Sequence, residues 1–359
     1  MRGQLTVPDR TWIEVDLGSL VANAREVQAR VPQARLLPMV KANAYGLGAV
    51  PVVRALETVD PWGYAVATAH EGAELREAGI VRRILVMGPQ TAALDLVAQH
   101  DLTPALGSLD QIDAWLALAP GRPFHVEVDT GMARWGLWWE AFGAEAARFR
   151  DAPGFEGVFT HFHSAAETPS SVAEQWGRFQ AAVASLPHRP ALVHAANSPA
   201  LLDFPETAGD LVRPGIYLYG GRAGGHAPRP VVRWRARVLT ARRLEAGATV
   251  SYGATYRAAA RTWIATLAAG YADGVPRSLS NVGAVLVGGR RMPIAGRVTM
   301  DFTMVACGAE GPPRPGDVAT LIGADGGDAI ALDDFAAMAG RISYEVLTGL
   351  GRRVAREYT

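Results

Sequence analysis

Short apolar runs alternate with helical stretches along roughly the first 220 residues of the chain. Several runs are rich in Val, Ile and Leu with little alternation, which is typical of strands covered on both faces. Between them, segments such as Ala69–Ala78 and Ser170–Ala184 have helical spacing and composition. About eight such repeats predict an α/β fold, an N-terminal (β/α)8 TIM-type barrel, with a doubly wound open sheet as the alternative. The predicted strands are Leu36–Val40, Gly63–Ala67, Ile84–Met87, Leu102–Ala105, Phe124–Val128, Gly157–His161, Leu192–Ala195 and Leu211–Gly215.

The pattern changes after the segment Gly220–Pro230, which is dense in glycine and proline. This segment indicates the approach to a domain junction, or alternatively a long surface loop. Beyond it, short strands separated by turns predict a C-terminal, mainly antiparallel β domain with a short helix near Leu332–Ala339. We therefore predict two domains, residues 1–228 and 229–359, and the first residues could pack with the β domain. The predicted strands of the second domain are Thr262–Ala269, Gly283–Val287, Arg291–Ile294 and Val318–Ile322.

The composition narrows the class of protein. Of the 359 residues, 49% are hydrophobic and 19% are charged, so the chain can bury a substantial core. Its 35 basic side chains balance 35 acidic ones, which argues against a general nucleic-acid-binding surface, and the single cysteine, Cys307, excludes an intrachain disulfide. No apolar run is long enough for a membrane helix, and the N-terminus lacks the pattern of a secretory signal. We therefore expect a cytoplasmic protein that binds neither membrane nor nucleic acid.

Polar residues able to do chemistry follow the predicted barrel strands. In chain order they are Lys41, Arg134, His161, the pair Asn197 and Ser198, and Arg213. Taken singly, each has a structural explanation, such as a solvated loop lysine or a satisfied histidine. Active sites of such barrels lie at the C-terminal ends of the strands, so their coincidence predicts a site at this rim.

An ordered set of motifs resembles the motifs of alanine racemases. The segment from Met39 to Gly48 (MVKANAYGLG) is similar to the pyridoxal-phosphate lysine motif of that family. The other motifs occur in the family's order and cover nearly the whole chain, so the set is far more specific than one motif. The family's fold, a (β/α)8 barrel followed by a β domain, agrees with the hydrophobic pattern. These motifs are Val128–Arg134, Thr160–Phe162, Ala196–Ser198, Val212–Ile216, Ser251–Gly253, Gly270–Gly274, Gly296–Asp301 and Ser343–Glu345.

The resemblance implies that pyridoxal 5'-phosphate is the cofactor. The amine of Lys41 would hold its aldehyde as a Schiff base. Arg213 matches the arginine that the family places against the pyridine nitrogen. Because arginine only donates hydrogen bonds, that nitrogen would stay unprotonated. Further residues matching cofactor-binding positions are Tyr45, His161, Asn197, Ser198, Gly215, Ile216 and Tyr344.

The resemblance also implies interconversion of L- and D-alanine by two bases, which act on opposite faces of the α-carbon. Lys41 would serve the D-substrate and Tyr252 the L-substrate, while Arg134 and the N–H of Met300 would hold the substrate carboxylate. In the family the second domain reaches the lysine of the partner subunit, so a homodimer with shared active sites is implied. The product D-alanine would feed peptidoglycan. Two residues match supporting positions, Tyr271 and Asp301.

One departure from the family concerns Glu127. It stands where many members carry a lysine that becomes carbamylated, and the carbamate is an anion that orients the substrate arginine. A glutamate can itself be an anion and could hold Arg134 without modification. The alternative is an unrelated strand glutamate.

Other functions are compatible with parts of this sequence. A serine or broad-spectrum racemase of the same family would share most of these motifs. His161 and His163 could form part of a metal site in a hydrolase barrel. A single-barrel cofactor carrier would lack the second domain, and a decarboxylase of the same fold would use an acid where Arg213 stands.

Overall fold

Most apolar runs of the first part of the chain form parallel strands in the computed structural model, which describes residues 10–309 and 311–359. Residues 1–9, which open the predicted N-terminal domain, lie outside the described residues. The described chain divides into two units. One contains residues 20–218 and 222–228, and the other contains residues 10–19, 219–221, 229–309 and 311–359.

Eight parallel strands form a nearly closed barrel in the first unit. The strands up to residue 213 are β1 (Thr11–Val15), β2 (Arg35–Leu36), β3 (Gly63–Val66), β4 (Arg83–Met87), β5 (Thr103–Leu106), β6 (Phe124–Asp129), β7 (Leu137–Trp138), β8 (Phe155–Phe159), β9 (Leu192–Asn197) and β10 (Leu211–Arg213). The barrel order is β2-β10-β9-β8-β6-β5-β4-β3, and a parallel bridge between Met39 and Ala65 joins its two ends. The predicted (β/α)8 architecture is therefore confirmed, and the open sheet is not formed.

Helices and short turns connect these strands. The helices are α1 (Leu17–Arg30), α2 (Lys41–Tyr45), α3 (Ala49–Leu56), α4 (Ala69–Glu77), α5 (Leu94–Gln99), α6 (Leu109–Leu118), α7 (Phe142–Glu145), α8 (Pro169–Ala184) and α9 (Ser198–Asp203). Helix α4 begins with a capping box. The Thr68 hydroxyl accepts the N–H of Glu71, and the Glu71 carboxylate accepts the N–H of Thr68. No helix in the described part of the chain is long and apolar enough to cross a membrane.

Proline shortens two of the predicted barrel strands. The predicted strand Leu36–Val40 is wrong beyond Leu36, because Pro38 has no N–H to continue the ladder, and only the bridge at Met39 follows. The predicted strand Leu211–Gly215 ends at Arg213 because Pro214 follows it. The strand predicted to end at His161 ends instead at Phe159, two residues earlier.

The second unit is a mainly antiparallel β domain. Its further strands are β11 (Val232–Leu244), β12 (Thr249–Val250), β13 (Tyr256–Arg257), β14 (Thr262–Leu267), β15 (Ala284–Val287), β16 (Arg290–Pro293), β17 (Thr303–Gly308), β18 (Val318–Asp325), β19 (Asp328–Ile330) and β20 (Ala355–Tyr358). Its helices are α10 (Leu332–Met338) and α11 (Ser343–Thr348). The main sheet has the order β16-β15-β18-β11-β1-β20, and only the β1–β20 pair in it is parallel.

Strand β11, which is not among the predicted strands, forms the centre of this unit. It pairs with β1, β14 and β18. Trp234 and Ala236 on its inner face are fully buried, and the indole of Trp234 lies 5.7 Å from the ring of Phe335 on α10. Arginines occupy the alternate outward positions, for example Arg233 and Arg237. The strand therefore alternates in burial as a half-covered strand should.

Gly209 is expected to be indispensable at the entrance to β10, the strand that carries Arg213. Its φ is +65°, and a Cβ there would lie 2.2 Å from the carbonyl oxygen of Val193. Gly79 also has a positive φ, +84°, but a Cβ there would meet no atom within 4 Å. We expect Gly79→Ala to lower the free energy of unfolding by about 1 kcal/mol through the backbone conformation alone. Gly209→Ala should lower it by about 2–4 kcal/mol because the clash adds to that cost.

Urea denaturation followed by circular dichroism measures both variants. Equal losses of stability in Gly209→Ala and Gly79→Ala would contradict a steric role for Gly209.

Candidate active site

Several predicted site residues influence one another's charge at the barrel rim. Burial and the charges of Arg134 and Arg213 lower the pKa of the Lys41 amine, although the carboxylate of Glu71 opposes this shift. The pKa of His161 lies well below its usual value because of burial and the charges of Arg213, Arg134 and Lys41. Such charges act strongly only at short range, so these side chains belong to one site.

Arg213 ends β10 and is the most enclosed cation of the site, with 2% of its surface exposed. Its Nη1 donates to Nδ1 of His194 at 2.8 Å. Its Nη2 donates to the carbonyl oxygens of Thr160 and Ala195 at 2.8 and 2.9 Å, and lies 3.3 Å from Nδ1 of His161. Within the described residues Nε has no acceptor. The arginine is therefore fixed by the protein while its Nε–H remains available to a ligand.

The histidines around Arg213 are neutral hydrogen-bond partners. Burial lowers the pKa of Arg213 to about 10, which still leaves it a cation at neutral pH. Burial and that cation lower the pKa of His194 well below its usual value, as they do for His161. Both imidazoles therefore accept hydrogen bonds from Arg213 without adding charge to the site.

Lys41 begins a left-handed helical turn. Ala42, Asn43, Ala44 and Tyr45 have φ values of 52°, 54°, 52° and 55°, where residues other than glycine are strained by about 1–2 kcal/mol each. Such strain persists only where the surrounding structure enforces it, and it gathers at functional sites. The turn places the lysine directly at the end of the first barrel strand region.

Hydrogen bonds from outside the turn hold it in this conformation. The carboxylate of Glu71 on α4 accepts the N–H of Ala42 at 2.6 Å and the N–H of Ala67 at 2.8 Å. The side-chain oxygen of Asn43 accepts the N–H of Ala49 at 2.7 Å. Glu71 thus supports the position of Lys41, a role that its place in the helical stretch Ala69–Ala78 does not predict.

Tyr45, Ser198 and Gly215 come together next to the turn. A Cβ at position 215 would lie 2.5 Å from the phenolic oxygen of Tyr45. The N–H of Gly215 donates to the Ser198 hydroxyl at 2.8 Å, and the buried Ile216 follows directly. These hydroxyl and amide groups form a cradle without a carboxylate, which suits an anion.

Asn197 has a structural task in this arrangement. Its side-chain oxygen accepts the N–H of Ala200 at the start of α9, and its amide donates to the carbonyl of Phe162. Asn197 is the last residue of β9, so it does not follow the strand as expected. Both ends of its side chain are engaged in fixing the rim.

The loop that carries Arg134 is shaped by Asp129. This carboxylate accepts the N–H groups of Gly131 and Ala133 at 2.9 and 3.1 Å. The indole of Trp135 packs so closely on Gly107 that a Cβ there would lie 2.2 Å from it. The Arg134 side chain is exposed and has no acceptor within the described part of the chain. It is therefore a positioned cation available to an anionic ligand.

Glu127 on β6 titrates near neutral pH. Burial raises its pKa to about 7, although the charges of Arg213 and Arg134 oppose the shift. It is 3% exposed and makes no hydrogen bond to Arg134 in residues 10–309. Its interaction with the two arginines is therefore electrostatic, and its charge varies with pH in the physiological range.

The other predicted site residues belong to the β unit. The side chain of Tyr252 is 72% exposed and that of Met300 is 53% exposed. Asp301 accepts from Arg353 at 2.7 Å, and Arg353 also pairs with the buried Asp273. This pairing makes Asp301 a structural residue of its unit. Two further residues are partly exposed on this unit, Tyr271 and Tyr344.

The histidine pair proposed for a metal site does not come together as ligands. Nδ1 of His163 lies 2.7 Å from the Ser164 hydroxyl, whereas His161 faces Arg213. Among the residues with described placement, no three His, Cys, Asp or Glu side chains are grouped to hold a metal ion.

Comparison with known proteins identifies relatives over the full length. Family models described as alanine racemase, N-terminal domain, and alanine racemase, C-terminal domain, match residues 15–223 and 231–358. The alanine racemase of Carboxydothermus hydrogenoformans is 40% identical over 97% of this chain and 99% of its own. The crystal structure of alanine racemase from E. faecalis is similar with a TM-score of 0.91 and 35% identity, covering 97% and 98% of the two chains. That of Bartonella henselae, with covalently bound pyridoxal phosphate, has a TM-score of 0.90 and 32% identity over 98% and 100%.

Glycine should improve stability in the left-handed turn, the reverse of its usual effect in a helix. At the exposed Ala42, glycine removes about 1–2 kcal/mol of conformational strain and costs about 0.4–1 kcal/mol of unfolded-state entropy. We expect Ala42→Gly to raise the free energy of unfolding by about 0.5 kcal/mol. The matched control is Ala173→Gly at an exposed position of the right-handed α8, which should lower it by about 1 kcal/mol.

Chemical denaturation of the two variants compares them directly. A loss at Ala42 as large as that at Ala173 would show that the turn is not left-handed.

Proposed function

The chain belongs to the alanine racemase family, and we propose that it interconverts L- and D-alanine with pyridoxal phosphate and two protein bases, Lys41 and Tyr252. One observation carries the proposal. The amine of Lys41, whose pKa is lowered, lies in the same site as Arg213, a buried cation whose Nε–H is unused by the described residues. A neutral amine is the form that reacts with an aldehyde, and a fixed N–H donor suits a ring nitrogen.

The residues present fit the cofactor. The cradle of Tyr45, Ser198 and Gly215 offers hydroxyl groups and glycine backbone to a phosphate, and a side chain at position 215 would fill it. Arg213 would hold the pyridine nitrogen through a donor that cannot lose its proton at neutral pH. When bound, pyridoxal phosphate supplies an aldehyde that condenses with amines and withdraws electrons from the substrate α-carbon.

Lys41 and Tyr252 would carry the protons. Racemisation requires removal of a proton from one face of the α-carbon and delivery to the other, so two bases are needed. The amine of Lys41 would exchange the proton of the D-substrate, and the phenolic oxygen of Tyr252 that of the L-substrate. Arg134 and the N–H of Met300 would orient the substrate carboxylate.

The exposure of Tyr252 and Met300 supports a shared site. Both side chains are exposed to solvent on their own unit. If they act on a substrate, another protein surface must enclose them. We propose a homodimer in which each β unit supplies Tyr252 and Met300 to the partner subunit's site. The D-alanine formed would serve peptidoglycan synthesis. The second candidate is a serine or broad-spectrum racemase, because a hydrophobic pocket discriminates small side chains by only about 1–3 kcal/mol.

We expect the protein supplied with pyridoxal phosphate to show a visible chromophore that borohydride bleaches, with the reduced adduct at Lys41 by peptide mapping. Lys41→Ala should lose the chromophore and turnover in both directions. Tyr252→Phe should keep the chromophore and lose about 10²–10⁴-fold in racemisation rate, because a general base is removed. Tyr256→Phe, a tyrosine change in the same unit, serves as the matched control.

Circular dichroism of L- and D-alanine solutions measures the rates. A colourless protein without turnover would contradict the proposed function, and equal kcat/KM for serine would favour the broad-spectrum racemase.

Glu127 is proposed to take the place of the anion that orients Arg134 in relatives. The support is electrostatic, since the Arg134 charge is one of the two that lower the Glu127 pKa against the effect of burial. Because burial leaves that pKa at about 7, the anion forms only as the pH rises through neutrality. By the same linkage, the cost of ionising Glu127 in the fold lowers stability as the pH rises from about 4.5 to 7.

This role makes substrate binding depend on pH. We expect KM for alanine to fall as the pH rises through about 7, because ionised Glu127 then holds Arg134 in place. In Glu127→Gln that change should be absent, and above pH 7 KM should exceed the wild-type value about five- to tenfold, equivalent to about 1 kcal/mol. Steady-state kinetics from pH 6 to 9 provides the test. If KM depended on pH in the same way in wild type and Glu127→Gln, Glu127 would have no role in orienting Arg134 and would be only a structural residue of its strand.

A further inference from the structure

A continuous chain of hydrogen-bonded side chains runs from Arg213 through the barrel interior to Glu156. His125 and His194 are fully buried, and Nδ1 of His125 lies 2.9 Å from Nε2 of His194. At one end, Nη1 of Arg213 donates to Nδ1 of His194 at 2.8 Å. At the other, Nε2 of His125 lies 3.4 Å from the Glu156 carboxylate. We call these four residues, Arg213, His194, His125 and Glu156, the histidine relay.

The chemistry of arginine fixes the direction of every bond in the relay. Arginine has no acceptor, so Nδ1 of His194 must accept and the proton of a neutral His194 must be on Nε2. That N–H donates to Nδ1 of His125, which therefore also carries its proton on Nε2. The last N–H donates to Glu156. Burial lowers the pKa of both imidazoles, which keeps them in this neutral form.

The surroundings hold the two rings in this orientation. The ring of Phe159 stacks on His194 with centroids 4.8 Å apart and planes 11° apart. Trp62 packs on His125 at 5.7 Å, and a Cβ at Gly157 would lie 2.6 Å from its Nδ1. The relay is therefore built into the barrel, with packing partners on both imidazoles.

The outer end of the relay lies near solvent. The Glu156 side chain is 20% exposed, and its other oxygen pairs with Arg83, which is 50% exposed. The hydrogen bond from His125 and, after it, the hydrogen bond and charge of Arg83 lower the pKa of Glu156 against the effect of burial. Glu156 is therefore an anion at neutral pH, several hydrogen bonds away from the reacting atoms.

We propose that the histidine relay is a positioning device for the racemase reaction, in which Glu156, His125 and His194 fix the guanidinium of Arg213 and set its strength as a donor to the cofactor ring. The inference rests on the proposed function, because it assigns a cofactor contact to Arg213. Hydrogen bonds in a chain polarise one another, so the charge of Glu156 strengthens the acceptor that His194 presents to Arg213. Glu156 thereby affects the reaction without contacting substrate or cofactor.

The first test reads the direction of the relay in the wild-type protein. Histidine side chains labelled with ¹⁵N report by NMR which ring nitrogen carries the proton, and the signals are assigned by their loss in His125→Asn and His194→Asn. At pH 7, with or without pyridoxal phosphate, we expect both histidines to be neutral with the proton on Nε2. A proton on Nδ1, or an imidazolium at either position, would overturn the relay.

The second test separates the charge of Glu156 from its surface ion pair. Glu156→Gln keeps the shape and an acceptor but removes the charge, so we expect kcat to fall about three- to tenfold. The absorption maximum of the bound cofactor should shift, while KM for alanine stays within about twofold, since substrate contacts are unchanged. Arg83→Gln removes the ion pair, but the hydrogen bond from His125 still lowers the pKa of Glu156, so the relay keeps its charge and kcat and absorption should match wild type. If Glu156→Gln and Arg83→Gln changed kcat and the absorption maximum equally, Glu156 would serve only the surface ion pair and the relay would be contradicted.

Failure of the relay and failure of the proposed function give different results. A wild-type protein that racemises alanine but has the wrong tautomers contradicts the relay alone. A wild-type protein that binds no pyridoxal phosphate contradicts the proposed function, whatever the tautomers are.

Discussion

The candidate site depends on keeping Arg213 charged inside the barrel. Removing an ion from water costs several kcal/mol unless hydrogen bonds replace the lost solvent. Thr160, Ala195 and His194 provide these bonds, and the protein leaves Nε without an acceptor among the described residues. The same buried charge keeps the neighbouring imidazoles neutral and helps to lower the pKa of the Lys41 amine. The buried charge of Arg213 therefore has two consequences. It favours the neutral, reactive form of the Lys41 amine, and it leaves an N–H donor for a ring nitrogen.

The strained turn at Lys41 is the conformational counterpart of this buried charge. A left-handed turn of non-glycine residues cannot be stable alone, so its stability must come from the barrel. The Glu71 carboxylate holds the turn by accepting the N–H of Ala42, and the helix that carries Glu71 packs against strands β3 and β4. The rigidity of the framework therefore offsets the strain where the reactive amine must be placed, and the close approach of Tyr45 to Gly215 depends on the same turn.

Much of the fold can be predicted from the hydrophobic pattern, and the predictions that were wrong or missing have physical causes. Strands buried on both faces were predicted because their apolar runs are continuous, whereas β11 was missed because arginines fill its outward positions. The residues at the rim were predicted from their place after strands. Their partners His125 and His194 were not, because each interrupts an apolar run. A histidine inside a buried strand needs a polar partner, and that requirement was the signal available in the sequence. The left-handed turn depends on contacts with Glu71, which no local pattern encodes.

The charge balance at the rim explains why anions suit this site. Glu127 is the carboxylate that raises the pKa of Arg213, yet burial still leaves its own pKa at about 7. Desolvation therefore exceeds the attraction of both arginines, and the pair is not a fixed salt bridge. At neutral pH the site retains an excess of positive charge from Arg213 and Arg134. A phosphate and a carboxylate, the two anionic groups of the proposed cofactor and substrate, would neutralise that excess, so binding them should stabilise the folded barrel by mass action.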